Sequence, residues 1–434
     1  MIFHENHHFK KHELYNGTLW LAGWCDHAPG KLNHMFADHE IPQMNGQFGL
    51  VWQGKDGWWL AQCDHLCSFP LWYSEDGDNV FSMWSDASSY DTKIDEIFYA
   101  QRDLIYGQMT VGNRTGRQDI KRVEPNWCVD RGTPVQYKHS LRMDYDGPDQ
   151  SEWGNILKEA VRKNCKSGDV LFLSGGRDST TIANIAHNLG IGLKYIHVTR
   201  GKKNPDTESC KEFASNIGID VHYLDPWEEG IDYDEGDFWH DSSYAPKRQC
   251  LLKLGKKFGI TGELGASESG SKKINTILQM PDITIEQLTN IWITTLEARN
   301  ESVASSEIHA DYTRDHLEYK LYQKAYREIV EFFEGDYRRC MDQSTETHQR
   351  LKAAIMLHQQ DHEAYRLHNY SQDLDLKWKH PFTDPYWFDI IMNAPLEAKK
   401  LHYHNREVYR IAAQDWEWFD TTAWNYGGPR GLKQ

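Results

Sequence analysis

The sequence predicts an α/β protein in two parts, an antiparallel β-sandwich followed by a doubly wound parallel sheet with a helical extension. The chain has 434 residues, more than one typical core holds, so two domains are expected. Short apolar runs separated by turn residues fill the first third of the chain. After residue 149, apolar runs alternate with amphipathic stretches. We therefore divide the chain into residues 1–148 and 149–434.

The first part has strands and close turns. Turn-forming residues at 55–57 and 75–78 separate its apolar runs, which lie at residues 18–22, 48–52, 58–61 and 79–83. Strand, turn and strand at this spacing are typical of an antiparallel sheet. Residues 135–148 are predicted to form a last strand and a linker.

The second part alternates between helix and strand. Helices are predicted at residues 153–164, 179–189 and 207–217, and strands at 170–173, 195–198 and 220–224. Such alternation indicates a parallel sheet covered by helices on both faces. Residues 283–370 are charged and are predicted to be helical.

Composition excludes several classes of protein. A net charge of −16 argues against nucleic acid as a partner, because phosphate binding needs clustered Lys and Arg. The eight Cys are scattered without a Cys-x-x-Cys pair, so neither a zinc ribbon nor a disulfide framework is predicted. No run of 18 apolar residues and no apolar leader is present, so we expect no membrane partner and a cytoplasmic protein.

One segment is suited to bind a polyphosphate. It joins a predicted strand to a predicted helix and reads Ser174-Gly175-Gly176-Arg177-Asp178-Ser179-Thr180. The N–H groups and the dipole of a helix N-terminus attract phosphate, and glycines let the backbone approach it. The hydroxyls can donate hydrogen bonds, and Asp178 can hold Mg²⁺. We therefore expect ATP and Mg²⁺ here.

Two further interpretations of this segment are less favoured. It lacks the Gly-Lys-Ser/Thr that cradles the β- and γ-phosphates, so transfer of the γ-phosphoryl group is not predicted. A glycine-rich turn with a hydroxyl cap on the helix would be purely structural. The glycines, the hydroxyls and the carboxylate occur together between a predicted strand and a predicted helix, and this combination favours nucleotide binding.

The Ser-Gly-Gly-x-Asp-Ser pattern resembles the loop of the PP-loop ATP pyrophosphatases, which cleave ATP between the α- and β-phosphates and adenylate a substrate oxygen. Other segments are similar, in order and rough spacing, to the class B asparagine synthetases, whose relatives include β-lactam synthetases and lasso peptide cyclases. These segments are residues 45–52, 64–66, 70–73, 81–86, 261–268, 380–384, 393–395 and 406–410.

The resemblance implies an N-terminal domain of the Ntn-hydrolase, class II glutamine amidotransferase type. Its glutaminase nucleophile in the family is a Cys exposed by removal of Met1. Here residue 2 is Ile2, and the nearest Cys is Cys25. We therefore expect a domain that keeps the sandwich but has lost the glutaminase.

For the second part, the resemblance implies an adenine-nucleotide α-hydrolase type of sheet. Phe172 and the backbone near Val198 would flank adenine, and Thr261 and Gly262 would approach the ribose or the α-phosphate. Glu263 would act as a general base or belong to the pyrophosphate and metal site.

Two positions depart from the family pattern. The acidic motif carries an extra residue, so that Ser267 replaces the metal-binding Asp or Glu268 takes its role. The family Lys at the transition state aligns with Arg406, which keeps the charge but cannot carry a proton.

The implied reaction is formation of an amide by an AMP- and pyrophosphate-forming ligase. Its partners would be a small-molecule or peptide carboxylate and either ammonia or an amine. An amine of the same molecule would give a ring-closing cyclase. Two different functions are also compatible with the sequence, modification of a nucleobase or tRNA by a PP-loop enzyme and nucleotide binding without turnover. The sequence does not decide the oligomeric state, and a homodimer is compatible with it.

Overall fold

The computed structural model describes residues 1–91, 93–104, 111–136, 147–199, 205–225, 244–262, 284, 319–341, 367, 370–373, 375–393, 408 and 412. These residues fall into two compact units. The first draws its members from Met1–Asp144 and Lys272–Gln372, and the second from Tyr145–Ser271 and Asp373–Gln434.

The strands of the described residues, in chain order, are β1 (Ile2–His4), β2 (Lys10–Glu13), β3 (Gly17–Cys25), β4 (Gly46–Gly54), β5 (Trp59–Cys63), β6 (Trp72–Ser74), β7 (Asn79–Phe81), β8 (Ile120–Arg122), β9 (Trp127–Asp130), β10 (Thr133–Gln136), β11 (Val170–Phe172), β12 (Lys194–Val198), β13 (Val221–Leu224), β14 (Phe258–Ile260) and β15 (Lys377–Lys379). The helices are α1 (Pro29–Ala37), α2 (Trp84–Tyr90), α3 (Glu96–Leu104), α4 (Trp153–Asn164), α5 (Arg177–Asn188), α6 (Pro205–Ile217), α7 (Tyr244–Lys253), α8 (Tyr319–Met341) and α9 (Pro385–Asn393).

The described residues of the first unit form two sheets. The six-stranded sheet has the order β10-β9-β5-β4-β3-β2 and is antiparallel throughout. The predicted turn at residues 55–57 joins β4 to β5, and Gly57 adopts a φ of 88° there, a left-handed conformation that glycine tolerates best. The four-stranded sheet has the order β1-β7-β6-β8.

Apolar side chains from both sheets share one core. Val51 and Ala61 of the large sheet lie in one cluster with Tyr73 and Val80 of the small sheet. The opposite face of the large sheet packs against α1, whose Phe36 stacks obliquely near Trp52 with ring centroids 5.3 Å apart. The expected sandwich is therefore present, with a helix on one outer face.

One feature of this sandwich was predicted wrongly. The sequence indicates antiparallel pairing throughout, but β1 runs parallel to β7, with Phe3 opposite Val80. The rule of strand, turn and strand concerns neighbours in sequence. Because β2 to β6 lie between β1 and β7 in the chain, that rule cannot predict their direction.

Helix α8 packs against α3. Arg114 connects α8 to the start of α3, since its guanidinium contacts Asp95, the residue directly before α3, and also donates from Nη2 to Glu328 Oε2 over 2.8 Å. The helical prediction for residues 283–370 is confirmed over 319–341. The rest of that span lies outside the described residues, apart from Thr284, Leu367 and Tyr370.

The second unit contains a five-stranded sheet with the order β13-β12-β11-β14-β15, in which every pair is parallel. The predicted parallel sheet is confirmed, and α4, α5 and α6 lie where the sequence periodicity places them. The protein is thus α/β, with mixed and antiparallel sheets in the first unit and a parallel sheet in the second.

One face of the parallel sheet packs on α7. Phe172, Ile196 and Leu251 lie in the apolar cluster on this face. Gly259 of β14 makes room for Trp378, because a Cβ at Gly259 would lie 2.5 Å from the indole ring. Among the described helices, none is both long enough and apolar enough to cross a lipid bilayer.

Asp384 is expected to stabilise the second unit as a helix cap. Its buried Oδ1 accepts hydrogen bonds from the backbone N–H groups of Tyr386 and Trp387, at 3.2 and 3.3 Å. Asp384→Ala removes both bonds and should lower the free energy of unfolding by about 1–2 kcal/mol in urea titrations. Asp384→Asn retains a cap acceptor, so its free energy of unfolding should fall by less. Equal decreases for the two variants would contradict the capping role.

Candidate functional site

The candidate site lies at the carboxyl edge of the parallel sheet. In the order β13-β12-β11-β14-β15, the chain steps from β11 towards β13 and then returns to β14 on the other side of β11. The strand order therefore reverses between β11 and β14. Ligands of doubly wound sheets bind in the crevice at such a point, outside the carboxyl ends of the strands. The loops that follow β11 and β14 meet there.

Hydrogen bonds between side chains and backbone hold the loop after β11 in a tight turn. The backbone N–H of Ser174 donates to Ser179 Oγ over 3.0 Å, and the two hydroxyl oxygens are also 3.0 Å apart. Gly176 N–H donates to Ser174 Oγ over 3.2 Å. Thr180 Oγ1 donates to the Gly176 carbonyl over 2.9 Å. The hydroxyls therefore shape the loop, and their predicted role as donors to phosphate stays a prediction.

Helix α5 begins directly after this loop. Its N-cap residue is Gly176, and no side chain caps the helix there. The N-terminus of a helix carries a partial positive charge, so an anion placed at this end is stabilised. Asp178 lies in the first turn and is half buried. A carboxylate at this place can hold a cation against bound phosphate oxygens.

Gly175 lies close to the start of α6. A Cβ at Gly175 would lie 2.3 Å from the carbonyl oxygen of Asp206 and 3.0 Å from the backbone nitrogen of Cys210. Its φ of 32° also lies in the left-handed region. Only glycine fits this position, and the loop therefore takes its shape from α6 as well as from β11.

The segment after β14 packs against the start of α5. A Cβ at Gly262 would lie 2.8 Å from the backbone nitrogen of Ser179 and 3.1 Å from its Cα. Thr261 is 1% exposed, and its Oγ1 lies 2.7 Å from His380 Nδ1. The structure thus brings together two segments that the sequence named separately, residues 174–180 and Thr261–Gly262.

The two residues expected to flank adenine lie on the α7 side of the sheet. Phe172 is 5% exposed and packs in the apolar cluster, with its ring centroid 5.9 Å from that of Trp378. Val198 is half buried at the edge of the same cluster. Phe172 therefore serves the core, and Val198 is the better placed of the two to meet a ligand.

Three predicted site residues, Glu263, Glu268 and Arg406, lie outside the described residues. Among the residues that the structure describes, no group of three or more His, Cys, Asp or Glu could hold a metal ion. The Asp178 carboxylate is a donor that fits Mg²⁺, because Mg²⁺ commonly takes one or two carboxylates and fills its shell with water and phosphate oxygens. Asp178 is the candidate ligand in the described part of the chain.

Sequence reasoning missed one side chain near the loop. His197 of β12 is 1% exposed, and its ring contacts both the end of β11 and the start of α6. It occurs inside an apolar strand, without a motif around it. A polar residue among the buried central positions of a strand is the signal that could have identified it, since such a group requires hydrogen-bond partners.

No protein-family model matches the chain. No curated protein matches it at a significant level. Among solved structures, the chain is similar to an NH3-dependent NAD synthetase from Campylobacter jejuni, with 14% identity, 42% of this chain and 93% of that chain covered, and a TM-score of 0.20. An NMN synthetase from Francisella tularensis shows 16% identity, 53% and 99% coverage, and a TM-score of 0.25. A glutamine-dependent NAD+ synthetase from Acinetobacter baumannii shows 13% identity, 55% and 53% coverage, and a TM-score of 0.19. Likeness at these TM-scores carries no weight for function, which must be judged from the site itself.

Proposed function

We propose that the second unit binds ATP with Mg²⁺ and uses it to adenylate a carboxylate, which then forms an amide with ammonia or an amine. The observation that carries this proposal is the loop Ser174–Gly176. It follows a buried parallel strand, precedes a helix with an uncapped N-terminus, and lies at the point where the strand order reverses. Polyphosphate is the ligand that this combination favours.

The loop favours cleavage between the α- and β-phosphates. The loop leads into the N-terminus of α5, whose first turn presents backbone N–H groups, and it lacks the Lys of loops that serve transfer of the γ-phosphoryl group. In the proposed reaction, a carboxylate oxygen attacks the α-phosphorus and pyrophosphate leaves. The helix N-terminus stabilises the charge on the departing group. Bound Mg²⁺ would neutralise phosphate charge as a Lewis acid, with Asp178 as a ligand.

The second half of the reaction rests on the resemblance to asparagine synthetases. An amine attacks the activated carbonyl, AMP leaves, and the nitrogen loses a proton. We propose Glu263 as the acceptor of that proton. For the first half of the reaction, in which pyrophosphate leaves, we propose Glu268 as a further metal ligand and Arg406 as the cation beside the leaving group. In the same proposal, residues 149–434 carry the ligase activity, and residues 1–148 form an Ntn-type domain without glutaminase activity.

Three thiols among the described residues of the first unit, those of Cys25, Cys67 and Cys128, support the loss of the glutaminase. A nucleophilic Cys needs a lowered pKa and access to substrate. Burial instead raises the pKa of the half-buried Cys25 thiol. Burial also raises the pKa of Cys67, and that of Cys128 to about 12. These three thiols therefore stay protonated near neutral pH.

This protonation predicts slow alkylation of the native protein. With a pKa of about 12, the thiolate fraction of Cys128 near neutral pH is about a thousandfold lower than with the ordinary value of 9.0. Iodoacetamide at pH 7.5, followed by peptide mass spectrometry, should label Cys25, Cys67 and Cys128 far more slowly in native protein than in urea. Rapid labelling of one of these thiols in native protein would indicate an activated thiol and contradict the loss of glutaminase activity.

The nitrogen source tests the proposed function. Purified protein is supplied with MgATP, aspartate, and either ammonium or glutamine, and pyrophosphate and amide are measured together. We expect both products with ammonium and neither with glutamine. Equal yields with glutamine would restore a glutaminase to the first unit. If aspartate fails with ammonium, the same assay with other carboxylates and with peptides decides between the intermolecular and the ring-closing ligase.

A further inference from the structure

His197 connects the end of β11 to the start of α6. Its ring is buried, with 1% exposure for the residue. The Nδ1 atom lies 2.7 Å from the carbonyl oxygen of Leu173, and the Nε2 atom lies 3.0 Å from Thr207 Oγ1. Leu173 is the last residue before the Ser174–Gly176 loop, and Thr207 lies at the N-terminal end of α6.

These two contacts fix the tautomer of the ring. A carbonyl oxygen can only accept a hydrogen bond, so Nδ1 must carry the proton. In the neutral ring, Nε2 then accepts the hydroxyl proton of Thr207. Both ring nitrogens are satisfied without a charge, which suits a site closed to water.

The contact with Leu173 lies where the chain leaves the sheet. Leu173 N–H still donates to the carbonyl of Ile196 over 2.8 Å, as in a parallel ladder. Leu173 is 1% exposed, and its carbonyl accepts a hydrogen bond from the His197 ring. A buried carbonyl without a partner is costly, so His197 stabilises the departure of the chain from β11 at this residue.

The contact with Thr207 holds α6, the second element against which the loop packs. Gly175 packs against Asp206 and Cys210 of α6, at distances that leave no room for a Cβ. A shift of α6 relative to β11 would therefore move Gly175. A single ring connects the two elements whose separation sets the shape of the loop.

We infer that His197 is a positioning residue for the polyphosphate loop. As the neutral Nδ1–H tautomer, it holds Leu173 and Thr207 so that Gly175 and Gly176 keep the conformation that receives the phosphates. It acts through the backbone and needs no contact with the nucleotide. The inference rests on the proposed binding of ATP at this loop.

The test measures affinity separately from folding. Calorimetric titration of the full chain with MgATP gives the stoichiometry and the Kd, and thermal unfolding gives the stability. His197→Asn keeps an N–H that can reach the Leu173 carbonyl, whereas the similarly shaped His197→Asp offers only acceptors. We expect His197→Asp to weaken MgATP binding by about tenfold or more, and His197→Asn to recover much of that loss.

A milder variant covers the case in which the His197 variants fail to fold. Thr207→Val keeps the shape of the side chain and removes the hydroxyl, and we expect it to weaken MgATP binding about threefold to tenfold. His222→Phe, on the exposed side of the neighbouring strand β13, is the matched control and should leave the Kd unchanged. Nitrogen-15 NMR of the wild type should show one Nδ1–H tautomer that the His197 variants lack.

The outcomes separate the inference from the proposed function. If the wild type does not bind MgATP, the proposed function is wrong. If the wild type binds MgATP, and the His197 and Thr207 variants lose stoichiometry or stability but keep the wild-type Kd, His197 only stabilises the fold. That result would overturn the inference and leave the ATP site intact.

Discussion

Asp178→Ala should abolish the consumption of MgATP by this protein while leaving its fold intact. The carboxylate lies half buried in the first turn of α5, beside the loop that we propose for the phosphates. Loss of a metal ligand removes Lewis-acid stabilisation of the phosphate oxygens, which contributes several kcal/mol. We expect the rate of pyrophosphate release to fall by about 100-fold or more. Pyrophosphate release and calorimetric binding of MgATP measure the two parts of the effect.

Asp220→Ala is the matched control for this variant. Asp220 is an exposed carboxylate directly before β13, at the opposite edge of the same sheet. It should leave both pyrophosphate release and MgATP binding unchanged. A wild-type rate in Asp178→Ala at saturating Mg²⁺ would show that the carboxylate is not a metal ligand. The loop would then bind nucleotide by its backbone alone.

Gly262→Ala should damage the same site from the other side. The new Cβ would lie 2.8 Å from the backbone nitrogen of Ser179, and a backbone atom cannot rotate away as a side chain can. Overpacking of this kind costs about 1–3 kcal/mol, and relief requires the start of α5 to move. We expect a lower free energy of unfolding together with a loss of MgATP affinity of about tenfold. Urea unfolding and calorimetry measure these two quantities.

Gly192→Ala is the control for a glycine that has space around it. In the same unit, a Cβ at Gly192 would meet only Ser167 Oγ, at 3.8 Å, an ordinary contact. Its stability should stay within about 1 kcal/mol of wild type. If Gly262→Ala lowers stability but leaves MgATP affinity unchanged, Gly262 does not influence nucleotide binding at the loop.

The strand–loop–helix around Ser174 was predictable because its determinants are local. The apolar run before it, the paired glycines and the periodicity of α5 follow one another directly in sequence. Local hydrogen bonds such as Ser174 N–H to Ser179 Oγ then close the loop as the spacing suggests. The parallel sheet followed for the same reason, since alternation of strands and helices leaves few topologies.

The rest of the site depends on contacts between distant segments. Strands β14 and β15 are three residues long each, too short to show a hydrophobic period. Thr261 and His380 reach the loop only because β14 pairs with both β11 and β15. His197 is another case, because its partners Leu173 and Thr207 lie 24 and 10 residues away. The parallel pairing of β1 with β7 escaped prediction in the same way.

The measurement that decides most is the identity of the nucleotide products formed from MgATP in the presence of carboxylates and ammonium, with aspartate first in the series. Phosphorus-31 NMR distinguishes the two bonds that can break. We predict AMP and pyrophosphate in equal amounts, and neither product in Asp178→Ala. Formation of ADP and inorganic phosphate would contradict cleavage between the α- and β-phosphates. Binding of MgATP without any product across the series would contradict a ligase and identify a nucleotide-binding protein.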